Sequence, residues 1–207
     1  NFDVFVINAD GTGLLQLTAD PSTDWEPAWS PDGETIVFIS MRTGTGTGGL
    51  YAVSPAGGEV TRFADRLGTY CYPMYSPDGT QLAYKFGSHI AVGDVAGMDS
   101  PDHVQTLLAE GTQPAWSPDG SRLAFTRFVD GSYDIFVIGA DGSAETRLTT
   151  DPRPDWTPIW SADGSQISFA RFVGGDWELF HMNADGSGLT QITDNAGQDM
   201  LPVWSPA

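Results

Sequence analysis

Apolar and polar residues alternate in short runs along this chain, and no stretch keeps the 3.6-residue period of an amphipathic helix. Runs such as residues 36–39 and 135–138 are rich in β-branched and aromatic residues, which favours strands. Asp-Gly pairs such as Asp141-Gly142 separate neighbouring runs and are a strong hairpin signal. The pattern predicts an all-β protein with almost no helix.

One segment, Pro-x-Trp-Ser-Pro-Asp-Gly, recurs and divides the chain into similar units. Its aromatic position is occupied in turn by Trp29, Tyr75, Trp116, Trp160 and Trp204. The copies are 41 to 46 residues apart, and the last one is cut short by the end of the sequence. A period of about 40–45 residues with four strands per unit is typical of a β-propeller.

Each unit is predicted to be one blade of four antiparallel strands, A to D. Pro-x-Trp-Ser is strand A, Ser-Pro-Asp-Gly is a tight turn, and strands B, C and D follow. The complete blades are expected at about residues 27–64, 73–109, 114–150 and 158–194. Such a sheet is apolar on both faces, so we expect blades to stack with each cassette aromatic buried between them. Burying each ring stabilises the fold by roughly 2–3 kcal/mol.

The two ends of the chain together resemble one further blade. Residues 1–18 have the pattern of strands C and D, and residues 202–207 have that of strand A. Joining them gives a single propeller domain, residues 1–207, of five blades if closed. That fifth blade would lack strand B, so the alternative is a fragment of a six- or seven-bladed protein that begins further upstream.

The combined pattern resembles the repeat of the TolB-like (WD-repeat-like) propellers over essentially the whole chain. It reads Asp-x-x-Pro-x-Trp-Ser-Pro-Asp-Gly, a β segment, x-Ile-Phe-Val-x-x-Ala-Asp-Gly, and a final Leu-Thr. The resemblance implies a bacterial, extracytoplasmic protein, periplasmic or secreted, that binds a protein or peptide partner. Related propellers gate serine peptidases or are metal-dependent lyases of acidic sugars, and these are the alternative functions.

Charge narrows the choice of partner. The formal net charge is −18, with one lysine and eight arginines. Such a protein repels phosphate backbones, so no nucleic-acid partner is expected, whereas cationic partners or divalent metals are favoured. The alternative explanation of the negative charge is that it keeps a β-rich protein soluble. No apolar run approaches the ~20 residues that span a bilayer, so no membrane insertion is expected.

Acidic and aromatic residues recur just before the cassettes, where a propeller chain approaches the channel mouth. Asp24, Asp155 and Asp199 each lie three residues before a cassette proline. Three such carboxylates along one arc predict a site for a metal ion such as Ca²⁺ or for a basic ligand, while the alternative is that each caps a turn. The neighbouring aromatic residues are Trp25, Tyr72 and Trp156. They are either an aromatic floor for a ligand or packing between blades.

Nothing in the sequence indicates a catalytic set. There is no Gly-x-Ser-x-Gly elbow of a serine hydrolase. The three histidines, His89, His103 and His181, are scattered and do not have metal-ligand spacing. The sequence therefore favours a non-catalytic binding scaffold over an enzyme.

Overall fold

The structure, a computed structural model, describes residues 1–42, 44, 46–64, 70–98, 100 and 105–204. His103 and residues 205–207 of the last cassette lie outside this part. The described residues contain strands and turns and no helix, which confirms the all-β prediction. Correspondingly, the described part has no helix able to span a bilayer.

The chain forms one strand pair and then four four-stranded sheets, each in simple chain order. The pair consists of β1 (Phe5–Val6) and β2 (Leu15–Gln16). The first blade contains β3 (Asp24–Trp29), β4 (Ile36–Ser40), β5 (Gly49–Val53) and β6 (Thr61–Arg62). The second contains β7 (Tyr70–Tyr75), β8 (Gln81–Phe86), β9 (His89–Asp94) and β10 (Gln105–Glu110).

The third and fourth blades have longer central strands. The third contains β11 (Thr112–Trp116), β12 (Arg122–Val129), β13 (Ser132–Gly139) and β14 (Thr146–Arg147). The fourth contains β15 (Asp155–Trp160), β16 (Gln166–Val173), β17 (Asp176–Asn183) and β18 (Thr190–Gln191). Four-stranded blades are confirmed, and strand A begins two or three residues earlier than predicted.

The chain divides into two compact units. The first comprises Asn1–Gly87 and Ala91–Thr106, and the second comprises Ser88–Ile90 and the residues from Leu107 onward. In the described part, β1 pairs with β2 alone and residues 202–204 form no strand. The closed five-bladed ring therefore stays a prediction.

The first unit shows why blades must stack. Every residue of β4 and β5 is buried, although their side chains point alternately to opposite faces. One face, which includes Val37 and Ile39, packs with Leu82 and Tyr84 of the second blade. The other face, which includes Ile36 and Phe38, packs with Val4 and Leu17. Both faces of the sheet are covered, as the sequence predicts.

Of the five cassette aromatics, Tyr75, Trp116 and Trp160 are buried, Trp204 is partly buried, and Trp29 is exposed. Trp160 is 5 % exposed, its Nε1 donates to the Ala115 carbonyl at 3.1 Å, and Arg122 lies 4.5 Å above its ring. Trp29, in contrast, is 50 % exposed, so the prediction of burial is wrong for that residue. Arg122, which covers Trp160, follows the Ser-Pro-Asp-Gly turn of the preceding blade. The strand pair β1–β2, which precedes Trp29, contains no such turn.

The Ser-Pro-Asp-Gly turns are closed by their own side chains in all four described copies. In each, the serine Oγ donates to the aspartate Oδ1 at 2.5–2.6 Å and accepts from the backbone N–H five residues on. Ala162 replaces the proline in the fourth copy, and Ser161 and Asp163 still make the same bonds. The serine and aspartate therefore define this turn.

The unequal burial of the cassette tryptophans gives a test by mutation. We expect Trp160→Ala to lower the free energy of unfolding by about 3–5 kcal/mol, because it removes a fully packed ring and its hydrogen bond. The matched variant Trp29→Ala should cost about 1 kcal/mol or less, because half of that ring is already in water. Urea unfolding of the two variants checks this, and equal losses would contradict the packing described.

Acid should weaken the fold through these turns. Hydrogen bonds from Ser117 and Ser121 lower the pKa of Asp119 to about 2, and those from Ser161 and Ser165 lower the pKa of Asp163 to about 2. A carboxyl whose pKa is lower in the folded state stabilises the protein above its unfolded pKa. We therefore expect the free energy of unfolding to fall between about pH 4 and about pH 2.

The double variant Asp119→Asn with Asp163→Asn isolates this effect. It should be less stable at neutral pH, yet lose less stability on acidification, because two of the titrating groups are gone. Urea midpoints measured across the acid range decide the matter. An unchanged acid dependence in the double variant would show that other groups are responsible.

Candidate functional site

Two of the predicted site carboxylates open the first strands of their blades. Asp24 begins β3 opposite Ser40, and Asp155 begins β15 opposite Arg171. Both carboxylates are fully buried. Each carboxylate is therefore enclosed within its unit and not open to solvent. Each needs a hydrogen-bonding or charged partner to offset the loss of hydration.

Arg171 is the partner of Asp155. Its Nε and Nη2 donate to the two carboxylate oxygens at 2.6 and 2.7 Å, and its side chain is only 3 % exposed. Burial raises the pKa of Asp155, and the hydrogen bonds from Arg171 oppose that rise. A second carboxylate, Asp151, lies 3.6 Å from Nη1 of the same arginine. This is a forked, buried ion pair with high geometric specificity.

Arg42 plays the same part for Asp24. Its Nη2 donates to Oδ2 of Asp24 at 2.8 Å, and its Nε donates to the Ser40 hydroxyl at 2.8 Å. Oδ1 of Asp24 is buried and has no hydrogen-bond partner among the described residues. The pair is thus less complete than that of Asp155, and Arg42 is also more exposed than Arg171.

Each of these arginines also lies over a cross-strand pair of aromatic rings. Arg42 is 5.6 and 5.0 Å from the ring centres of Phe38 and Tyr51, and Arg171 is 5.4 and 5.2 Å from those of Phe169 and Phe180. In the third blade Arg127 repeats this arrangement over Phe125 and Phe136, with a forked ion pair to Glu145. An arginine stacked on two rings and held by a carboxylate is a recurrent element of this chain.

The three predicted metal ligands belong to different units, Asp24 to the first and Asp155 and Asp199 to the second. Arginine occupies the place beside Asp24 and Asp155 that a cation would take. Asp199 is partly exposed, and its Oδ2 accepts from Nδ2 of Asn195 at 2.5 Å. The part of the chain that the structure describes has no group of three histidine, cysteine, aspartate or glutamate side chains that could hold a metal ion. Calcium binding stays a prediction, which a calcium titration of the melting temperature tests.

Trp25 and Tyr72 differ in their surroundings. Trp25 is partly buried and packs against the apolar cluster of the first unit, which agrees with packing between blades. Tyr72 is partly buried and lies at a bulge of strand A with φ of 54°. Its backbone N–H donates to Oε2 of Glu26 at 2.7 Å, and burial raises the pKa of Glu26.

That bulge recurs and was missed from the sequence. Glu26, Tyr72, Gln113 and Thr157 hold the same place in strand A of the four blades, each with φ between 53° and 56°. The side-chain oxygen of Gln113 accepts from the backbone N–H of Thr157 at 3.2 Å, as Glu26 does for Tyr72. A residue in this strained region is usually glycine or asparagine, so these four residue types give no sequence signal.

Trp156 belongs to a line of five aromatic rings in the second unit, which we call the aromatic row. Its members, in spatial order, are Phe128, Tyr133, Trp156, Trp177 and Phe172. Neighbouring ring centres are 4.9 to 6.2 Å apart and meet edge to face. Phe128 is 61 % exposed and Phe172 is 36 % exposed. The row is a partly open aromatic surface.

Two tight hairpins build the row. Phe128 faces Tyr133 across the β12–β13 hairpin, and Phe172 faces Trp177 across the β16–β17 hairpin. The first hairpin turns at Asp130-Gly131, both with positive φ, as a two-residue turn requires. Pairing continues to the last residue before each turn, so the rings sit on firm strands.

A repeated sequence could have revealed the row. Residues 127–134 read Arg-Phe-Val-Asp-Gly-Ser-Tyr-Asp, and residues 171–178 read Arg-Phe-Val-Gly-Gly-Asp-Trp-Glu. Both octets place an aromatic residue on either side of a glycine turn, with an arginine before and an acid after. Trp156 was identified from the sequence, whereas the four hairpin rings beside it were not.

The buried ion pair of the fourth blade can be tested by removing one or both charges. We expect Asp155→Asn to lower the free energy of unfolding by about 3–5 kcal/mol, because the buried Arg171 loses its main counter-charge. The double variant Asp155→Leu with Arg171→Met should cost less than Asp155→Asn alone, because no charge is left buried. Urea unfolding gives both values. A double variant at least as unstable as Asp155→Asn would contradict a direct pair.

Comparison with known proteins places these blades in a family. A family model for the TolB beta propeller domain matches residues 1–113 and 69–207. An uncharacterized protein of Agrobacterium fabrum is 29 % identical over 167 residues, which cover 73 % of this chain and 56 % of that protein. The Tol-Pal system protein TolB of Anaeromyxobacter dehalogenans is 32 % identical over 146 residues, 70 % of this chain and 24 % of that protein.

A third relative is an uncharacterized peptidase of Bacillus subtilis, YuxL. It is 26 % identical over 156 residues, which cover 74 % of this chain and 22 % of the peptidase. The chain thus spans about half the length of the Agrobacterium fabrum relative and about a quarter of the other two.

Solved structures agree with the family model. A TolB structure from Agrobacterium tumefaciens has a TM-score of 0.82 at 27 % identity, covering 97 % of this chain and 72 % of that one. An oligogalacturonate lyase in complex with manganese has a TM-score of 0.68 at 14 % identity, covering 94 % of this chain and 60 % of that one, which shows a shared fold alone. Since the family model matches along the whole sequence and the blades have the expected form, this chain belongs to the TolB beta propeller domain family.

Proposed function

We propose that this chain is a non-catalytic binding module that holds a segment of a protein or peptide partner on the aromatic row. The observation that carries the proposal is the exposure of Phe128 and Phe172 at the two ends of a continuous line of rings. Aromatic side chains left open together in this way are enriched in protein interfaces and supply much of their binding energy.

The rigidity of the row supports the same proposal. The rings hold one another edge to face, and the strands that carry them are paired to the hairpin tips. A surface that is already ordered loses little conformational entropy when it binds. Such a row suits an extended peptide that lies across two blades.

The family supports a protein partner and an extracytoplasmic setting. The Anaeromyxobacter relative is a protein of the Tol-Pal system. We carry this setting over as part of the proposal, which places the chain in the periplasm or outside the cell. The net charge of −18 disfavours nucleic acid as the partner on electrostatic grounds.

A second candidate function is a substrate-gating module of a larger peptidase, which the similarity to YuxL favours. In that case the propeller would admit peptides to a catalytic domain carried by another part of the protein. Mass spectrometry of a bound peptide after long incubation with this chain addresses catalysis directly. An intact peptide agrees with binding alone, whereas a cleaved peptide would contradict a non-catalytic module.

Selection from a random peptide library tests the binding function. We expect peptides that bind the wild-type chain and bind Phe128→Ser about fivefold more weakly, because the most exposed ring of the row is lost. Ile192→Ser is the matched control, since Ile192 is 52 % exposed and lies outside the row. It should leave the affinity unchanged.

Two outcomes would overturn the binding function at this site. The first is that no peptide is enriched above an unrelated acidic protein. The second is that the enriched peptides bind Phe128→Ser and the wild-type chain equally well. Circular dichroism of both variants verifies that each retains the β fold, so that a lost affinity is not a lost structure.

A further inference from the structure

We propose that the aromatic row receives an arginine side chain of a basic peptide, with Asp176 and Asp199 as its counter-charges. This inference rests on the proposed function and names the chemistry of the partner. Three internal sites of this chain combine aromatic rings and a carboxylate with an arginine, and they are the basis of the inference.

The internal sites show what this chain does with an arginine. Arg42, Arg127 and Arg171 each lie 4.5 to 5.6 Å from the centres of two cross-strand aromatic rings. Each also forms an ion pair of 2.6 to 2.8 Å with a carboxylate. Two rings and a carboxylate are therefore the common setting of a guanidinium in these blades.

The row has a cross-strand ring pair with carboxylates nearby in the chain, and no guanidinium of the described residues lies over these rings. Phe172 and Trp177 are a cross-strand pair whose ring centres are 5.4 Å apart. Asp176 directly precedes Trp177, and its Oδ1 accepts from the Trp177 backbone N–H at 2.8 Å. The backbone N–H of Asp199 donates to the Trp177 carbonyl at 2.8 Å. The Asp176 carboxylate is thus held by the backbone of Trp177, and the backbone of Asp199 pairs with the same residue.

Neither of these carboxylates forms an ion pair with another described residue. Among the described residues, the ion pairs of the second unit involve Arg127, Arg147, Arg153 and Arg171, and none reaches Asp176 or Asp199. Asp130, at the other hairpin, is paired with Arg147 at 2.7 Å. The unmatched negative charge therefore lies at the Trp177 end of the row.

Charge and geometry select arginine over other occupants. Tryptophan is the best aromatic partner of a cation, and a planar guanidinium can stack on a ring while it donates a fork of hydrogen bonds to carboxylates. A lysine ammonium would keep the charge and lose the stacking. A proline-rich or sugar ligand would use the rings and leave both carboxylates unmatched. The net charge of −18 also steers basic segments toward the protein.

The test uses a short Gly-Ser peptide with three arginines, a copy with three lysines, and a copy with citrulline, which is isosteric with arginine and neutral. Calorimetry gives the affinities, and the indole N–H signal of Trp177 in an NMR spectrum reports the site. We expect the arginine peptide to bind about tenfold more tightly than the citrulline peptide, with lysine between them. Added salt should weaken the arginine peptide most.

Variants then test whether Asp176 and Asp199 are the counter-charges of the bound arginine. We expect Asp176→Asn and Asp199→Asn each to weaken the arginine peptide about two- to fivefold and to leave the citrulline peptide unchanged. Asp185→Asn is the matched control, because it makes the same charge change beyond the opposite end of β17. Trp177→Leu, which keeps an apolar side chain, should weaken the arginine peptide and reduce its preference over the lysine peptide.

Equal affinity of the arginine and citrulline peptides would overturn the inference while leaving binding by uncharged segments, and hence the proposed function, intact. A loss on Asp185→Asn as large as that on Asp199→Asn would also overturn it, since the attraction would then be diffuse. If library peptides also fail to bind, the proposed function fails together with its arginine site.

Discussion

A four-stranded sheet that is apolar on both faces cannot leave either face in water, and this constraint shapes the whole chain. In the first blade all residues of β4 and β5 are buried, and separate apolar clusters cover the two sides of the sheet. The burial of apolar surface is the dominant stabilising contribution to such a β fold. Blades therefore have to stack, and the repeated cassette provides the rings and turns with which they do so.

Stacking also decides what becomes of the acidic residues at the strand ends. The carboxylates of Asp24 and Asp155 are buried when the blades stack, and an arginine provides the counter-charge of each. The same arginines cover the aromatic pairs at the middle of strands B and C. At the aromatic row we propose that an arginine from a binding partner takes the corresponding place.

The blades could be predicted from sequence because their motifs are local. The ion pairs between residues far apart in the sequence could not be predicted in this way. The turn at Ser161 and Asp163 is closed within six residues, so its motif is sufficient to identify it. Asp155 and Arg171 are 16 residues apart and meet only through the register of β15 and β16, so the carboxylate was interpreted as a free ligand. The bulge at Glu26 and Thr157 could not be predicted because its positions share no residue type. The exposure of Trp29 could not be predicted because it depends on the structure that packs beside that ring.

The most direct test of this account is the NMR signal of the arginine side-chain Nε–H groups. We expect the signal of Arg171 to be protected from solvent exchange at neutral pH, to be shifted by the rings of Phe169 and Phe180, and not to change in millimolar calcium. A rapidly exchanging signal, or one that calcium releases, would show that Asp155 belongs to a metal site and that the carboxylates had been wrongly assigned to arginine.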